Sequence, residues 1–396
     1  MTEKTAIWNK VIIDVLPDFE NIVKTMNDEN RKENEFRKLW IKGIPEKLRA
    51  KVWTRVTGNN NSITQSLFEI MVSRGMKFRI ILQEKTHASS ESEQISYEVE
   101  QLAKKVEDYK ANEKTQTEEK NIDKEKGLND YETTVKKLND LTKQKEELDI
   151  KHQSLSRDLK LIMGDLKNSK EESIRIIAND IPRTFSSEHV FKSELYADTL
   201  QKVLEAFSVY RPDIGYVQGM SYICGIICLL TKTDYACFIL FHNIITKSNL
   251  FPFYSFDDTY MKQRIVIFKQ IFGYNLQDLC FHFEDEGIQP NLYLYEWFMS
   301  LFAKALNMDI VCRVWDLILL DGIPILYKTA IVILSSLEEE LLNSDFDDIM
   351  RILRNTSNSI KNEDEFIDQI MKITLPRWID LELPILEQDK LPDELM

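Results

Sequence analysis

The amino-acid sequence predicts an all-α fold, a multi-helix domain interrupted by a long, charged helical insert. Three observations carry that reading. Only 11 Gly and 10 Pro occur in 396 residues, about 3% of each against typical usage near 7% and 5%, too few turn-formers for a many-stranded β protein. Apolar residues recur at steps of three and four over most of the chain, the period of helices buried on one face. From about Glu84 to Glu172 there is dense charge and no Pro, Phe or Trp, so this stretch cannot build a globular core of its own. With 43% hydrophobic residues overall, the remainder is long enough to bury a sizeable one.

Residues 1–39 form an N-terminal helical extension whose apolar segment, Trp8 to Leu16, docks on the helices downstream of it. The domain proper opens over 40–83. Gly43-Ile44-Pro45 starts a helix at a position that tolerates Pro, with Leu48, Val52 and Trp53 as its buried stripe. A second apolar helix lies near Gln65 to Ile81. The insert occupies 84–172. In it Ile95, Val99, Leu102, Val106 and Tyr109 step by four and three, and Leu141, Leu148, Leu155 and Ile162 repeat every seven, a coiled-coil signature. The polar stretch Asn112 to Lys126 separates these runs, and Leu128, Tyr131, Val135 and Leu138 resume a seam. Two arms folded back as a hairpin fit this pattern. The seam drifts by one residue after Leu138, which leaves a solvated single helix or a partly disordered insert open as well.

Residues 173–342 read as consecutive helices. Leu200, Val203, Leu204, Phe207 and Tyr210 line one face, and Met220 to Leu230 is apolar nearly all round, as in a helix buried on every side. Leu292, Tyr295, Met299, Phe302 and Leu306 predict an amphipathic helix. Val311, Val314, Trp315 and Ile318 predict the next, ending at Asp321-Gly322. Residues 343–396 hold further amphipathic helices, to about Ile373, and a short Pro-containing tail.

A net charge of −14 argues against binding nucleic acid or anionic lipid, both of which need a basic footprint, and points to a protein partner. The five cysteines, Cys224, Cys228, Cys237, Cys280 and Cys312, lie in apolar helical stretches without framework spacing, which suits a reducing compartment. The first ten residues lack the basic start and apolar core of a signal peptide, and no apolar run is long and clean enough to span a membrane. A cytoplasmic location is expected, peripheral on endomembranes at most. Motifs that cradle nucleotides, bind catalytic zinc or build a serine nucleophile are absent. Cys224 and Cys228 share a helical face, but no His lies close in sequence to complete a metal site, so they read as small core hydrophobes. His189, His242 and His282 likewise lack partners by sequence.

Two short segments stand apart. Ile177-Ala178-Asn179-Asp180-Ile181-Pro182-Arg183 places an arginine directly after a proline and three residues beyond an aspartate. Tyr210-Arg211-Pro212-Asp213-Ile214-Gly215-Tyr216-Val217-Gln218-Gly219 places a glutamine in a loop bounded by Pro and Gly. Both sit at helix ends, where functional side chains tend to be presented. IxxDxxR at Ile177, Asp180 and Arg183, with YxQG at Tyr216, Gln218 and Gly219, resembles the paired signature of the TBC domain of Rab GTPase-activating proteins. GIPEKLRAKVW at Gly43 to Trp53 resembles the opening of that domain. YEWFMSLFAKAL at Tyr295 to Leu306 and CRVWDLILLDG at Cys312 to Gly322 resemble later segments in the same order. The opening helix and the phrase GYVQGMSYI are most similar to the branch containing TBC domain family members twelve and fourteen. The long charged insert departs from the family pattern.

The resemblance implies an activator that is not itself an enzyme in the strict sense and carries no cofactor of its own, GTP and Mg²⁺ being held by a Rab-family partner in vesicle trafficking. It implies that Arg183 is an arginine finger and Gln218 a glutamine finger, with Asp180, Tyr216, Gly219 and Arg49 supporting. Arg49 reads mainly as framework, with a partner-facing role open. Chemistry favours that pair, since a planar guanidinium delivered in trans stabilises charge on the transferring phosphoryl group and an amide both donates to and accepts from an attacking water. Two other functions compete: a catalytically silent effector or scaffold using the same groove, and a coiled-coil tether drawing on the insert, which would also serve self-association or adaptor binding.

Overall fold

The computed structural model describes residues 3–25, 34–115, 121–163, 169–185, 193–247, 250–255, 258–358, 360 and 362–376. Within these every regular element is helical. The contacts divide the chain into two compact units, Met1–Val72 with Glu172–Met396, and Ser73–Glu171.

The first unit begins with α1 (Glu3–Asp14), α2 (Phe19–Thr25), α3 (Glu35–Ile41) and α4 (Glu46–Thr57). Asn34 caps α3 by accepting from the amides of Phe36 and Arg37. Trp8 of α1 and Trp40 of α3 are wholly buried and meet edge to face at 5.5 Å, with Phe19 stacked on Trp40 at 5.3 Å. Each such ring removes roughly 150–250 Å² from water, on the order of 4–6 kcal/mol as an upper figure. The N-terminal segment is thus anchored by the apolar run that predicted it.

After α5, which starts at Gln65 and runs unbroken to Thr115, the unit resumes with α7 (Ser169–Asp180), the second helix of the insert, α6 (Asn121–Met163), lying between them. Then come α8 (Glu194–Tyr210), α9 (Met220–Leu230) and α10 (Asp234–Ile245), which pack on one another, α9 and α10 also packing against α4. The predicted α8 face is borne out at Leu200, Val203, Leu204 and Phe207, which have no exposed surface, while Tyr210 at its end is half-buried. The C-terminal half comprises α11 (Phe251–Tyr254), α12 (Asp258–Asn275), α13 (Gln277–Asp285), α14 (Asn291–Met299), α15 (Met308–Asp321), α16 (Pro324–Ser336), α17 (Glu338–Leu342), α18 (Phe346–Arg354) and α19 (Glu363–Lys372). Here α15 packs against α16, α19, α3 and α4, and it stops at Gly322 as expected.

One expectation fails. The helix predicted through Leu306 ends at Met299, and its buried face is Tyr293, Leu294, Trp297 and Phe298, whereas Leu292 is 46% exposed and Tyr295 faces outward too. Two apolar rows run along this short helix, and periodicity alone cannot choose between them. The helix stops because Leu301 and Phe302 adopt left-handed backbone, at φ 46° and 64°, which no helix continues through.

In the second unit, the part of α5 beyond Ser73 pairs with α6 as an antiparallel hairpin. Ser92 Oγ donates to Asp149 Oδ1 at 2.7 Å, Lys137 lies 4.0 Å from Glu98, and Tyr109 meets Tyr131 edge to face at 6.1 Å, so later residues of one arm meet earlier residues of the other. Ile95, Val106, Leu155 and Leu159 are buried. The hairpin alternative is therefore the one realised. No break separates the second apolar helix from the insert, and no Pro stands between Gln65 and Thr115 to end α5. The side chain of Ile162 and the C-terminal tail beyond residue 376 lie outside the described residues.

Candidate functional site

The arginine segment is built by a change of helix type. α7 ends at Asp180, and Ile181–Arg183 tighten into a 3₁₀ turn with Pro182 near its start. In such a turn residues three apart eclipse, which brings the Arg183 guanidinium onto the Asp180 carboxylate, where NH2 pairs with Oδ1. Asp180 is 2% exposed, whereas the Arg183 side chain is 55% exposed. The carboxylate is a fixed interior post and the guanidinium a surface group leaning on it. Thr184 returns its hydroxyl to the Asp180 carbonyl at 2.7 Å, and Phe185 takes left-handed backbone at φ 51°, a strained conformation for an aromatic residue.

The glutamine segment follows α8. Arg211, Pro212, Asp213 and Ile214 make a turn closed by the Ile214 amide donating to the Arg211 carbonyl at 3.1 Å, with Arg211 clasping Asp213 through Nε and NH2 at 2.9 and 2.5 Å. That clasp holds the Asp213 carboxyl below its ordinary range. Gly215, at φ 66°, reverses the chain where a Cβ would stand 2.8 Å from Ser173 Oγ, and that hydroxyl accepts from the Tyr216 amide at 3.0 Å. Gly219 adopts φ 105° at the N-terminus of α9, against the Met299 carbonyl. Tyr216, Val217 and Gly219 are buried while Gln218 between them is exposed. A rigid loop thus presents one side chain.

Three contacts tie the segments together. Tyr216 donates its hydroxyl to Asp180 Oδ2 at 2.7 Å, Thr184 and Ser221 share a hydroxyl hydrogen bond of 2.8 Å, and the Tyr222 hydroxyl donates to the Arg183 carbonyl at 3.2 Å. Burial, with the bond to Asp180, pushes the Tyr216 phenol far above its ordinary value, so it stays a donor. Asp180 thereby serves both segments, one oxygen toward Arg183 and the other toward the Gln218 loop.

Sequence reasoning missed Ser173, Thr184, Ser221 and Tyr222, and also Lys304, whose ammonium pairs with Glu296 and lies 5.4 Å from the Tyr222 ring centre. The Tyr222 ring also meets Phe185 edge to face at 4.9 Å. Ser173, Thr184, Ser221 and Tyr222 flank the two motifs, which was their only signal; Lys304 lies far along the chain and had none.

Arg49 lies elsewhere and faces inward. It is 6% exposed, its Nε is 3.3 Å from Asp316 Oδ2, and its NH2 donates to the Ile44 carbonyl at 3.1 Å. The partner-facing alternative for it is not realised. His242 is buried against Asn243 and Asn61, and His282 lies 2.9 Å from the Ser344 carbonyl. His189 lies outside the described residues.

An all-helical domain displaying an arginine and a glutamine on cross-braced loops defines a class. The chain belongs to the Rab-GTPase-TBC domain family, whose profile matches residues 128–342. A second profile, the Astrin coiled-coil, matches residues 36–175, overlapping the hairpin. The chain is 31% identical to TBC1 domain family member 12 of Xenopus tropicalis over 91% of its own length and 41% of that protein's. It is 28% identical to TBC1 domain family member 14 of Bos taurus over 93% of itself and 42% of that protein. The chain thus spans about two-fifths of the length of these relatives. Drainin of Dictyostelium discoideum is 25% identical over 95% of the chain and 75% of its own length. The fold resembles the crystal structure of the Chlamydomonas flagellar RabGAP TBC domain, with a TM-score of 0.56 at 18% identity, covering 93% of this chain and 90% of that one.

Proposed function

We propose that this chain accelerates GTP hydrolysis by a Rab-family GTPase, supplying Arg183 and Gln218 in trans. The observation that carries the reading is that Asp180, itself buried, binds both segments whose exposed side chains are a guanidinium and an amide. The partner brings GTP and Mg²⁺. On docking, Arg183 exchanges its carboxylate partner for the phosphoryl oxygens, where charge grows during transfer. The Gln218 amide orients the attacking water. Tyr216 and Asp180 hold the two segments in register.

A silent-binder reading rests on one feature, the Asp180–Arg183 ion pair, which occupies the finger before any partner arrives. The two readings separate by single-turnover hydrolysis across a panel of GTP-loaded Rab proteins. Activation predicts that wild type stimulates at least one of them, and that Arg183→Ala lowers the maximal stimulated rate by roughly 10² to 10⁴ with little change in binding. Binding of GTP-loaded Rab without stimulation across a broad panel would replace this reading with the effector.

Among the described residues no helix is long and apolar enough to cross a membrane. Any endomembrane association is proposed as peripheral, and self-association or adaptor binding is proposed for the hairpin.

A further inference from the structure

The sequence left Cys224 and Cys228 as core hydrophobes, but folding adds a third thiol. Cys237, in the first turn of α10, joins them so that the three sulfurs lie within 4.8 Å of one another. The Cys228 and Cys237 sulfurs are 3.0 Å apart, and the Cys237 thiol lies 3.9 Å from the Cys224 carbonyl. Cys228 is half-buried, while the other four cysteines are buried.

We propose that Cys228 and Cys237 are a reversible redox-modification site, in which hydrogen peroxide oxidises Cys228 and Cys237 resolves it to a disulfide joining α9 to α10. In the first step the Cys228 thiolate attacks one peroxide oxygen, the O–O bond breaks, and the leaving hydroxide takes a proton, giving Cys228 sulfenic acid and water. In the second the Cys237 sulfur attacks Cys228 Sγ, the S–O bond breaks, and the hydroxide leaves with the Cys237 proton as a second water. The two thiols lose two electrons and the peroxide gains them.

Three features assign the roles. Exposure favours Cys228, which is half-buried while Cys224 and Cys237 are buried. Hydrogen bonds from the Cys224 and Cys237 thiols hold Cys228 below the usual thiol range, against burial and Asp234, while burial pushes the other two up, a direction that agrees with Cys228 as the nucleophile. Geometry selects the resolver. Cys224 and Cys228 are four apart on one helix, where Cβ atoms stand roughly 5–6 Å apart, beyond the ~3.5–4.5 Å that a disulfide spans. Cys237 faces Cys228 from another helix and has only to close from 3.0 Å to about 2.05 Å.

Three sulfurs also suit a soft metal ion. Charge weighs against it, because the charged side chain acting on the cluster is the acidic Asp234, and a metal trithiolate would add net negative charge to the interior. A disulfide is neutral before and after.

The test treats the reduced full chain with one to roughly ten equivalents of hydrogen peroxide, a range in which accessible thiolates react first, followed by alkylation and peptide mapping. Alkylatable thiols should fall from the five present to three, with a Cys228–Cys237 linked peptide that dithiothreitol reverses. Cys237→Ser should let a dimedone-type probe trap sulfenic acid at Cys228, and Cys228→Ser should abolish both products while circular dichroism shows an intact fold. If Cys228→Ser misfolds, Cys228→Ala serves in its place. Five intact thiols after peroxide, a Cys224–Cys228 link in place of the proposed one, or undiminished reactivity of Cys237 in the Cys228 variant would overturn the proposal. So would one equivalent of zinc or copper in the purified reduced protein shielding all three thiols.

Discussion

Tyr216→Phe isolates the brace between the two segments, because it removes one oxygen and leaves shape and burial nearly unchanged. The lost hydroxyl donates to Asp180 Oδ2 at 2.7 Å, and both residues are buried. Hydrogen bonds to charged groups contribute about 1.5–3 kcal/mol net, and a buried acceptor left short of a donor costs on the same order. The variant should therefore lose about 1.5–3 kcal/mol in urea unfolding. With Oδ2 unheld, the Asp180 carboxylate is positioned by Arg183 alone, and the Gln218 loop loses one of the three contacts that tie it to the finger. A near tenfold fall in the maximal stimulated rate, about 1.4 kcal/mol in barrier, is expected with Rab affinity unchanged. Tyr222→Phe is the control, since its bond of 3.2 Å goes to the Arg183 carbonyl and is neutral, worth about 0.5–1.5 kcal/mol. The reasoning fails if Tyr216→Phe unfolds at the wild-type urea midpoint, or if it loses stability yet stimulates at the full rate.

Arg183→Lys should rescue little of the Arg183→Ala defect, because an ammonium cannot reproduce the planar fork; combined Arg183→Ala and Gln218→Ala should cost far less than the product of the single losses, read in single-turnover assays. Burial pushes the Asp316 carboxyl up from 3.8 to about 6 against the pull of Arg49 and the Trp53 hydrogen bond. The folded state binds that proton more tightly than the unfolded chain, so this group's contribution to stability is complete below its unfolded value and is lost as pH rises through about 6. Urea titrations of Asp316→Asn should show a flatter dependence across that window. Arg49→Met strands the Asp316 charge and should cost about 3–5 kcal/mol at neutral pH, less near pH 5. Replacing Glu91–Lys167 by a flexible linker should leave a folded helical domain, since Ser73–Glu171 forms a compact unit of its own; a molten product by near-ultraviolet circular dichroism would contradict this.

Much of the fold was legible because helical periodicity and the scarcity of Gly and Pro are local signals. The core of the α8 face and the end of α15 at Gly322 came from that source, whereas α15, predicted to bury one face, is buried all round from Ile310 to Leu320. The face of α14 did not, because two apolar rows run along it, and its end did not, because the left-handed pair Leu301 and Phe302 lies in a sequence that still reads as helix. At the site, the two motifs were visible as rigid loops, but the hydrogen bonds that join them were not. Tyr216 and Asp180 are 36 residues apart, Thr184 and Ser221 37, and no spacing rule reaches that far. The thiol cluster was hidden because Cys237, though only nine residues from Cys228, belongs to the next helix.

The segments at Gly43 to Trp53 and Cys312 to Gly322 lie far apart in sequence, yet one buried carboxylate explains why both are needed. Asp316 accepts from Trp53 Nε1 at 2.7 Å and pairs with Arg49, while its backbone carbonyl accepts from Trp40 Nε1 at 2.6 Å. Arg313, one turn earlier, donates to the Ile41 carbonyl at 2.7 Å and pairs with Glu363 and Asp364 of α19. Apolar packing alone would let α3 and α4 slide on α15, since burial is nondirectional. Directional bonds to a desolvated charge admit one register, because any shift leaves that charge uncompensated. α4 in turn packs against α9 and α10, and α9 begins just after Gln218 and Gly219. A polar clamp far from Arg183 along the chain therefore sets the seat of the helix that Gln218 precedes, so framework substitutions at Arg49 or Asp316 belong with changes at the site itself.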